Sequence, residues 1–341
     1  MLWNILEIID RREVIVLFIN HNHKNYILYL FLTSIINATV IFIIPIWILN
    51  ETKSPFLVSI VSSMAIVISS IASPLGGAMA DRYSKVNIIV IGTLVVIFST
   101  LSIYLLSNIA FVYSIVLVLV CIRMLGISIN SPVNHSILLD IVGKDNLTKA
   151  VPINQIVSQL SQTLSPLIGG LFIIILGYHY TFLIESLLLI LALVFIKKVE
   201  VSCSKTNKTN KTNKTNKTNI LAELIEGINL VVKSSTIFIF ILIAAVINIL
   251  GASMVLAIQT YLVLSDTSQI WYGIVFASSP LGIIIGAIVS RKIKWGNKLL
   301  YIAFIFVSGM AVFNILMSFN MNNLYMFCLL FFVSGICEYR C

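Results

Sequence analysis

Few residues of this 341-residue chain can do chemistry, because 59% are hydrophobic and only 10% are charged. Within the long apolar stretches, Arg123 is the sole cation and Glu185 the sole carboxylate. An arginine near the centre of a bilayer costs roughly 2.5–3.5 kcal/mol on insertion scales, so Arg123 should face a protein interior or a wet cavity. The alternative is a side chain that snorkels or pairs with a carbonyl. A carboxyl group in hydrocarbon can take up and release a proton, which makes Glu185 a coupling candidate. Its other reading is a carboxylate near an interface that reaches water. Counted from the ends of their apolar runs, Glu185 lies about 5 residues, or ~8 Å, from one surface, and Arg123 about 14 residues, or ~21 Å. No direct ion pair between them is expected. Asn37 and Asn248 each fall about 11 residues into their runs, near mid-depth, where an amide either faces a cavity or bonds between helices. No phosphate loop, nucleophile triad or metal-ligand cluster is visible, so no enzyme, no ATP-driven step and no cofactor are expected. The five cysteines are odd in number and scattered, which suits small hydrophobes better than disulfides or metal ligands. His135 and His179 are assigned no role.

The elements that must hold these residues are read from the apolar runs. A mean hydropathy of +1.05 excludes an ordinary soluble domain. Runs of spanning length lie at 26–49, 56–80, 87–106, 109–129, 151–176 and 180–196, and again at 237–262, 271–289, 299–319 and 324–337. With backbone groups satisfied internally in hydrocarbon, these must be helices. The expected fold is therefore an all-α integral membrane bundle of six spans followed by four. The chain divides into an N-terminal segment (1–25), a six-helix half (26–196), a linker (197–236) and a second half (237–341). With the N-terminus inside, twenty of the 22 Lys and Arg residues fall on the cytoplasmic side, Lys53 outside and Arg123 within a span. That asymmetry places the N-terminus and linker in the cytoplasm and the chain in the cell membrane as a multi-pass protein. The net charge of +9 is then topology, with the lipid bilayer as partner and no nucleic acid. The first residues lack a cleavage site after an apolar core, so no removable signal is expected. They read either as an amphipathic surface helix with Trp3 and Leu6 toward lipid or as a frayed start. Within the linker, 205–219 repeats Lys-Thr-Asn five times, has nothing apolar to bury, and should be a disordered spacer. A short amphipathic helix is expected at 220–232.

Three motifs carry more specific information. Between the second and third runs stand Gly77, Asp81, Arg82 and Lys85, preceded by small residues at 76–80 that let helices approach closely. This turn resembles the loop motif of the major facilitator superfamily, with Ser84 in place of its second glycine and Val86 in place of a further basic residue. A partial copy follows 209 residues later, at 278–291, with Ser290 in place of the aspartate. Arg123 with Gly126 resembles the family's fourth-helix motif, which is linked to proton coupling. Pro166 with Gly169 and Gly170 resembles the fifth-helix motif of its exporters, with Ser161 and Ser165 where glycines are usual. Pro132, Asn134, Asp140, Asp145 and Asn154 are similar to the branch of macrolide-efflux and siderophore-export proteins. The resemblance implies a secondary transporter, a proton-driven efflux antiporter of small amphipathic molecules, drug-like, macrolide-like or siderophore-like. It would act as a monomer, by rocking two halves around a midplane cavity. Arg123 and Glu185 would couple protons, residues 81–85 would latch the cytoplasmic side, and 166–170 would let the fifth helix bend. Against a family of two six-helix halves, the second half lacks two helices, so a truncated, non-transporting remnant is the rival expectation. A membrane scaffold or sensor is a third.

Overall fold

The computed structural model describes residues 20–199, 235–265, 267–268, 270–290, 299–320 and 323–338. The expected N-terminal surface helix before residue 20, the Lys-Thr-Asn repeat and the 220–232 helix lie outside the described residues. Every regular element among the described residues is a helix: α1 (His21–Thr52), α2 (Pro55–Arg82), α3 (Lys85–Ile109), α4 (Tyr113–Val142), α5 (Leu147–Lys197), α6 (Ser235–Leu264), α7 (Ile270–Ser290), α8 (Leu299–Phe319) and α9 (Leu324–Glu338). The first five are each long and apolar enough to cross a membrane. Their ends follow local chemistry. The Asn20 side chain accepts from the His23 amide at 2.7 Å and caps α1, while its amide donates to the Ile141 carbonyl at 3.0 Å, tying the start of α1 to the end of α4. Proline opens α2, and Gly143, at φ 76°, closes α4 in a conformation that suits a residue without Cβ.

Two helices depart from the expected spans. α4 continues thirteen residues past position 129, because Asn130, Asn134 and Asp140 interrupt the hydropathy without breaking the helix; they meet protein rather than lipid. α5 runs through both the fifth and sixth expected spans. At ~1.5 Å per residue its 51 residues would make a rod about 76 Å long, far beyond a hydrocarbon core of ~30 Å. Gly177, at φ 70° and ψ 173°, breaks it, so a single non-helical residue replaces the loop expected there. The chain then reverses along α1. Tyr178 sits at Asn50, accepting a hydrogen bond from its amide, and Phe182 packs edge-on against Trp47, while Gly169 before the break lies against Phe42.

α1 is the central helix of the first half, with Ile43, Trp47, Ile48 and Leu49 fully buried; it packs mainly on α5. α2 and α3 each pack on α4, α8 on α9, and α9 on α7. Phe56, Ile66, Ile91, Phe98 and Leu105 are exposed, as helices sheathed in lipid permit. Close crossings are built from glycine. A Cβ on Gly76 would strike the Ile129 backbone, one on Gly282 the Phe332 carbonyl, and one on Gly335 the Ser279 carbonyl. Gly77, by contrast, has nothing within 4 Å of where its Cβ would stand. Gly76 therefore supplies the close approach in α2 that was expected of both. The halves meet where α5 packs on α7, with α1 and α2 touching α6.

Candidate functional site

A cavity of about 730 Å³ lies between the halves, lined by α1, α3, α4 and α5 of the first and α6 and α7 of the second. Helical periodicity builds its walls. On α1 the lining residues Tyr26, Tyr29, Thr33 and Asn37 recur every three or four positions, and on α5 Gln155, Ser158, Gln162 and Ser165 do the same. Asn130 and Asn134 repeat the pattern on α4, and Gln259 answers from α6. Along α1 the lining extends from Tyr26 to Phe42, sixteen residues or ~24 Å, so the cavity is deep rather than a surface dimple. At the end bearing the α2–α3 and α4–α5 turns, the lining residues His135, Val151 and Gln155 are exposed. At the other end, Phe42 and Phe276 meet edge to face across the two halves at 5.3 Å. Beyond them, Trp47 stacks edge-on with Phe111 at 5.2 Å and Phe182 at 5.4 Å. The Phe42–Phe276 contact is an aromatic plug between the halves at that end, while Trp47, Phe111 and Phe182 pack within the first half.

The lining side chains are tied into the helices around them. Asn130 donates to the Ile89 carbonyl at 3.2 Å and to Thr93 Oγ1 at 3.3 Å, and the Tyr29 and Thr93 hydroxyls lie 3.4 Å apart. Tyr26 donates to the Asn134 carbonyl at 2.8 Å. These bonds hold the polar face of α4 against α1 and α3.

Arg123 and Asn37 come together. The arginine is 1% exposed; its Nη2 donates to Asn37 Oδ1 at 2.9 Å and its Nε to Thr100 Oγ1 at 3.3 Å. Asn37 itself lines the cavity, so it touches both the charge and the space beside it. Glu185 is also 1% exposed, and neither carboxylate oxygen has a hydrogen-bond partner. Arg123 is its electrostatic neighbour, yet no ion pair within 4.0 Å joins them. The depths expected from the sequence are corrected here. With α4 starting at Tyr113 and the outer break at Gly177, Arg123 is ten residues in, ~15 Å, and Glu185 eight, ~12 Å. The two charges sit at nearly one level.

The α2–α3 turn is arranged differently from a self-contained charged cluster. Lys85 reaches α4, pairing with Asp140 at 2.7 Å and donating to the Ser136 carbonyl at 3.0 Å. Asp81 and Arg82 are exposed at the end of α2. On α5, a Cβ on Gly169 would lie 2.9 Å from Phe42, and one on Gly170 would lie 2.7 Å from the Cα of Gly273 on α7. Residues 166–170 thus form the seam between the halves beside the aromatic plug. Asn248 falls within α6, but its side chain is outside the described residues. The sequence reading did not identify Asn130, Gln155, Gln162 and Gln259 as lining residues. Their signal was the recurrence of amides and hydroxyls every three to four residues inside apolar runs.

Comparison with known proteins agrees with this architecture. No curated protein matches the chain. Among solved structures, a bacterial homologue of the iron transporter ferroportin in its inward-facing state is 12% identical with a TM-score of 0.62, covering 94% of this chain and 81% of its own. A bacterial homologue of the human lysosomal transporter Spinster, inward-facing and occupied, is 16% identical with a TM-score of 0.64, covering 92% and 71%. The xylose transporter XylE from E. coli, in an inward-open conformation, is 14% identical with a TM-score of 0.59, covering 93% and 78%. These identities speak for the fold alone. The Major Facilitator Superfamily model matches residues 26–338, nearly the whole helical region, and the chain belongs to that superfamily of membrane transporters.

Proposed function

We propose that the protein is a proton-coupled exporter of small amphipathic molecules in the cell membrane, acting as a monomer with its N-terminus and linker in the cytoplasm. The observation that carries this reading is the cavity: it is shared by both halves, with exposed lining residues at the end bearing the basic turns and the Phe42–Phe276 contact joining the halves at the other, as expected of one state of an alternating-access carrier. The open end bears the basic turns containing Arg82, Lys85, Lys144 and Lys149, and the positive-inside rule assigns that end to the cytoplasm. Solute would enter from the cytoplasm. Rocking about the 166–170 seam would part Phe42 from Phe276 and open the opposite face.

Coupling would use the level pair of buried charges. Protonation of Glu185 changes the field felt by Arg123, whose hold on Asn37 passes that change to the cavity wall. Lys85 and Asp140 would keep the cytoplasmic ends of α3 and α4 together through the cycle. The resemblance of residues 132–154 to efflux proteins favours export over import. The test is accumulation of a broad panel of amphipathic drugs in cells with and without the chain, with and without a protonophore. Reduced accumulation that the protonophore abolishes is expected. Unchanged accumulation across the panel overturns the proposal.

A further inference from the structure

We infer that the cavity selects uncharged, hydroxyl- and carbonyl-rich amphipathic solutes and discriminates against anions and cations of the same size. This rests on the exporter reading and narrows it. None of the described lining residues is Asp, Glu, Lys or Arg, and seven are Asn or Gln. Helices α6, α7 and α8 contain no Asp, Glu, Lys or Arg at any position, so these helices offer the cavity no counter-charge in any rocking state. The two buried charges of the first half are not in the lining. Arg123 is occupied by Asn37 and Thr100, and Glu185 lies fully buried in the protein.

A carboxamide presents one acceptor and two donors, which match hydroxyls and carbonyls without an ion. Gln162 and Gln259 offer this chemistry from opposite halves, while Phe42, Phe276 and Val255 supply an apolar wall for the rest of the solute. Alternating access requires the cavity to close around its solute. A charged solute then loses its water with no carboxylate, ammonium or guanidinium in the described lining to receive it, His135 standing at the exposed mouth, which is costly. A neutral polyol or glycoside exchanges its water for amides and hydroxyls at little loss.

The experiment uses the full chain in proteoliposomes under an imposed proton gradient, with three matched fluorescent probes. These are methylumbelliferyl glucoside, which is neutral, the glucuronide, which adds a carboxylate, and the glucosaminide, which adds a free amine. The glucoside should move about tenfold faster than either charged sibling, and thermal shifts of the purified protein in detergent should rank the probes in the same order. Gln259→Glu places a carboxylate in the wall and should raise the glucosaminide about tenfold relative to the glucoside. Equal or faster movement of a charged sibling overturns the inference and leaves the exporter reading standing. If no probe moves and none shifts the melting temperature, the inference falls. The drug-accumulation panel then decides the exporter reading separately.

Discussion

Replacing Gly170 with alanine should hurt far more than replacing its partner Gly273, although the two glycines face each other across one seam. A Cβ on Gly170 would stand 2.7 Å from the Gly273 Cα and 2.9 Å from its nitrogen. Both are backbone atoms, so no side chain can swing away. Ordinary contact begins near 3.4 Å, so α5 and α7 must separate by about 0.7 Å. A Cβ on Gly273 instead first meets the Gly170 Cα at 3.4 Å and the Pro166 carbonyl at 3.5 Å, both ordinary distances. Overpacking of the first kind costs about 1–3 kcal/mol. Because this seam flanks the Phe42–Phe276 plug, the cost falls on the conformation closed at that end, an equilibrium bias of roughly 5- to 150-fold. The assay places a single cysteine at Ser34 in the cavity, on a cysteine-free background, and adds an impermeant thiol reagent from the plugged face. Labelling should be slow in the parent, at least about 5-fold faster in Gly170→Ala, and unchanged in Gly273→Ala. Equal effects of the two substitutions, or a larger one from Gly273→Ala, would refute the reasoning.

Other perturbations test the remaining contacts. Asn37→Leu strands an Arg123 donor in the interior and should lower stability by about 1.5–3 kcal/mol, read from unfolding in detergent. Asn37→Asp retains an acceptor and should lose less. Glu185→Gln preserves shape but removes the titrating group, so proton movement detected by a pH-sensitive dye inside proteoliposomes should fall to background while the melting temperature holds. Persistent solute-driven proton movement in that variant would exclude Glu185 from coupling. Lys85→Met breaks a pair whose side chains are 21% and 33% exposed, so the loss should be below about 1 kcal/mol and should shrink with added salt. A larger, salt-independent loss would show that the pair is shielded from solvent and contributes more than its exposure allows.

Much of the architecture was legible in the chain itself. Long apolar runs in a medium without water permit only helices, so residues 26–196 could be read as six spans from hydropathy alone. The glycine–aspartate–arginine turn at 77–85, the arginine in α4 and the proline–glycine motif of α5 identified the family for the same reason: membrane helices tolerate charge and small residues only where they are used. What the chain could not disclose depends on how helices rotate and slide against one another. Hydropathy is blind to whether an amide faces lipid or a neighbour, so it stopped α4 at 129 while the helix runs on to Val142. Counting from run ends separated Arg123 from Glu185 by ~13 Å in depth, whereas the true helix starts bring them level. That Gly76 makes the close contact and Gly77 does not is a matter of about 100° of rotation on one helix, which spacing within a small-residue cluster does not resolve. The sequence by itself determined a membrane-embedded helical transporter fold and the short roster of charges within it. Only the tertiary structure decided that Asn37 holds Arg123, that amides from both halves line one cavity whose described residues include no Asp, Glu, Lys or Arg, and that Gly170 and Gly273 meet at the seam between the halves. These are contacts between residues far apart in the chain, and packing rather than local periodicity sets them.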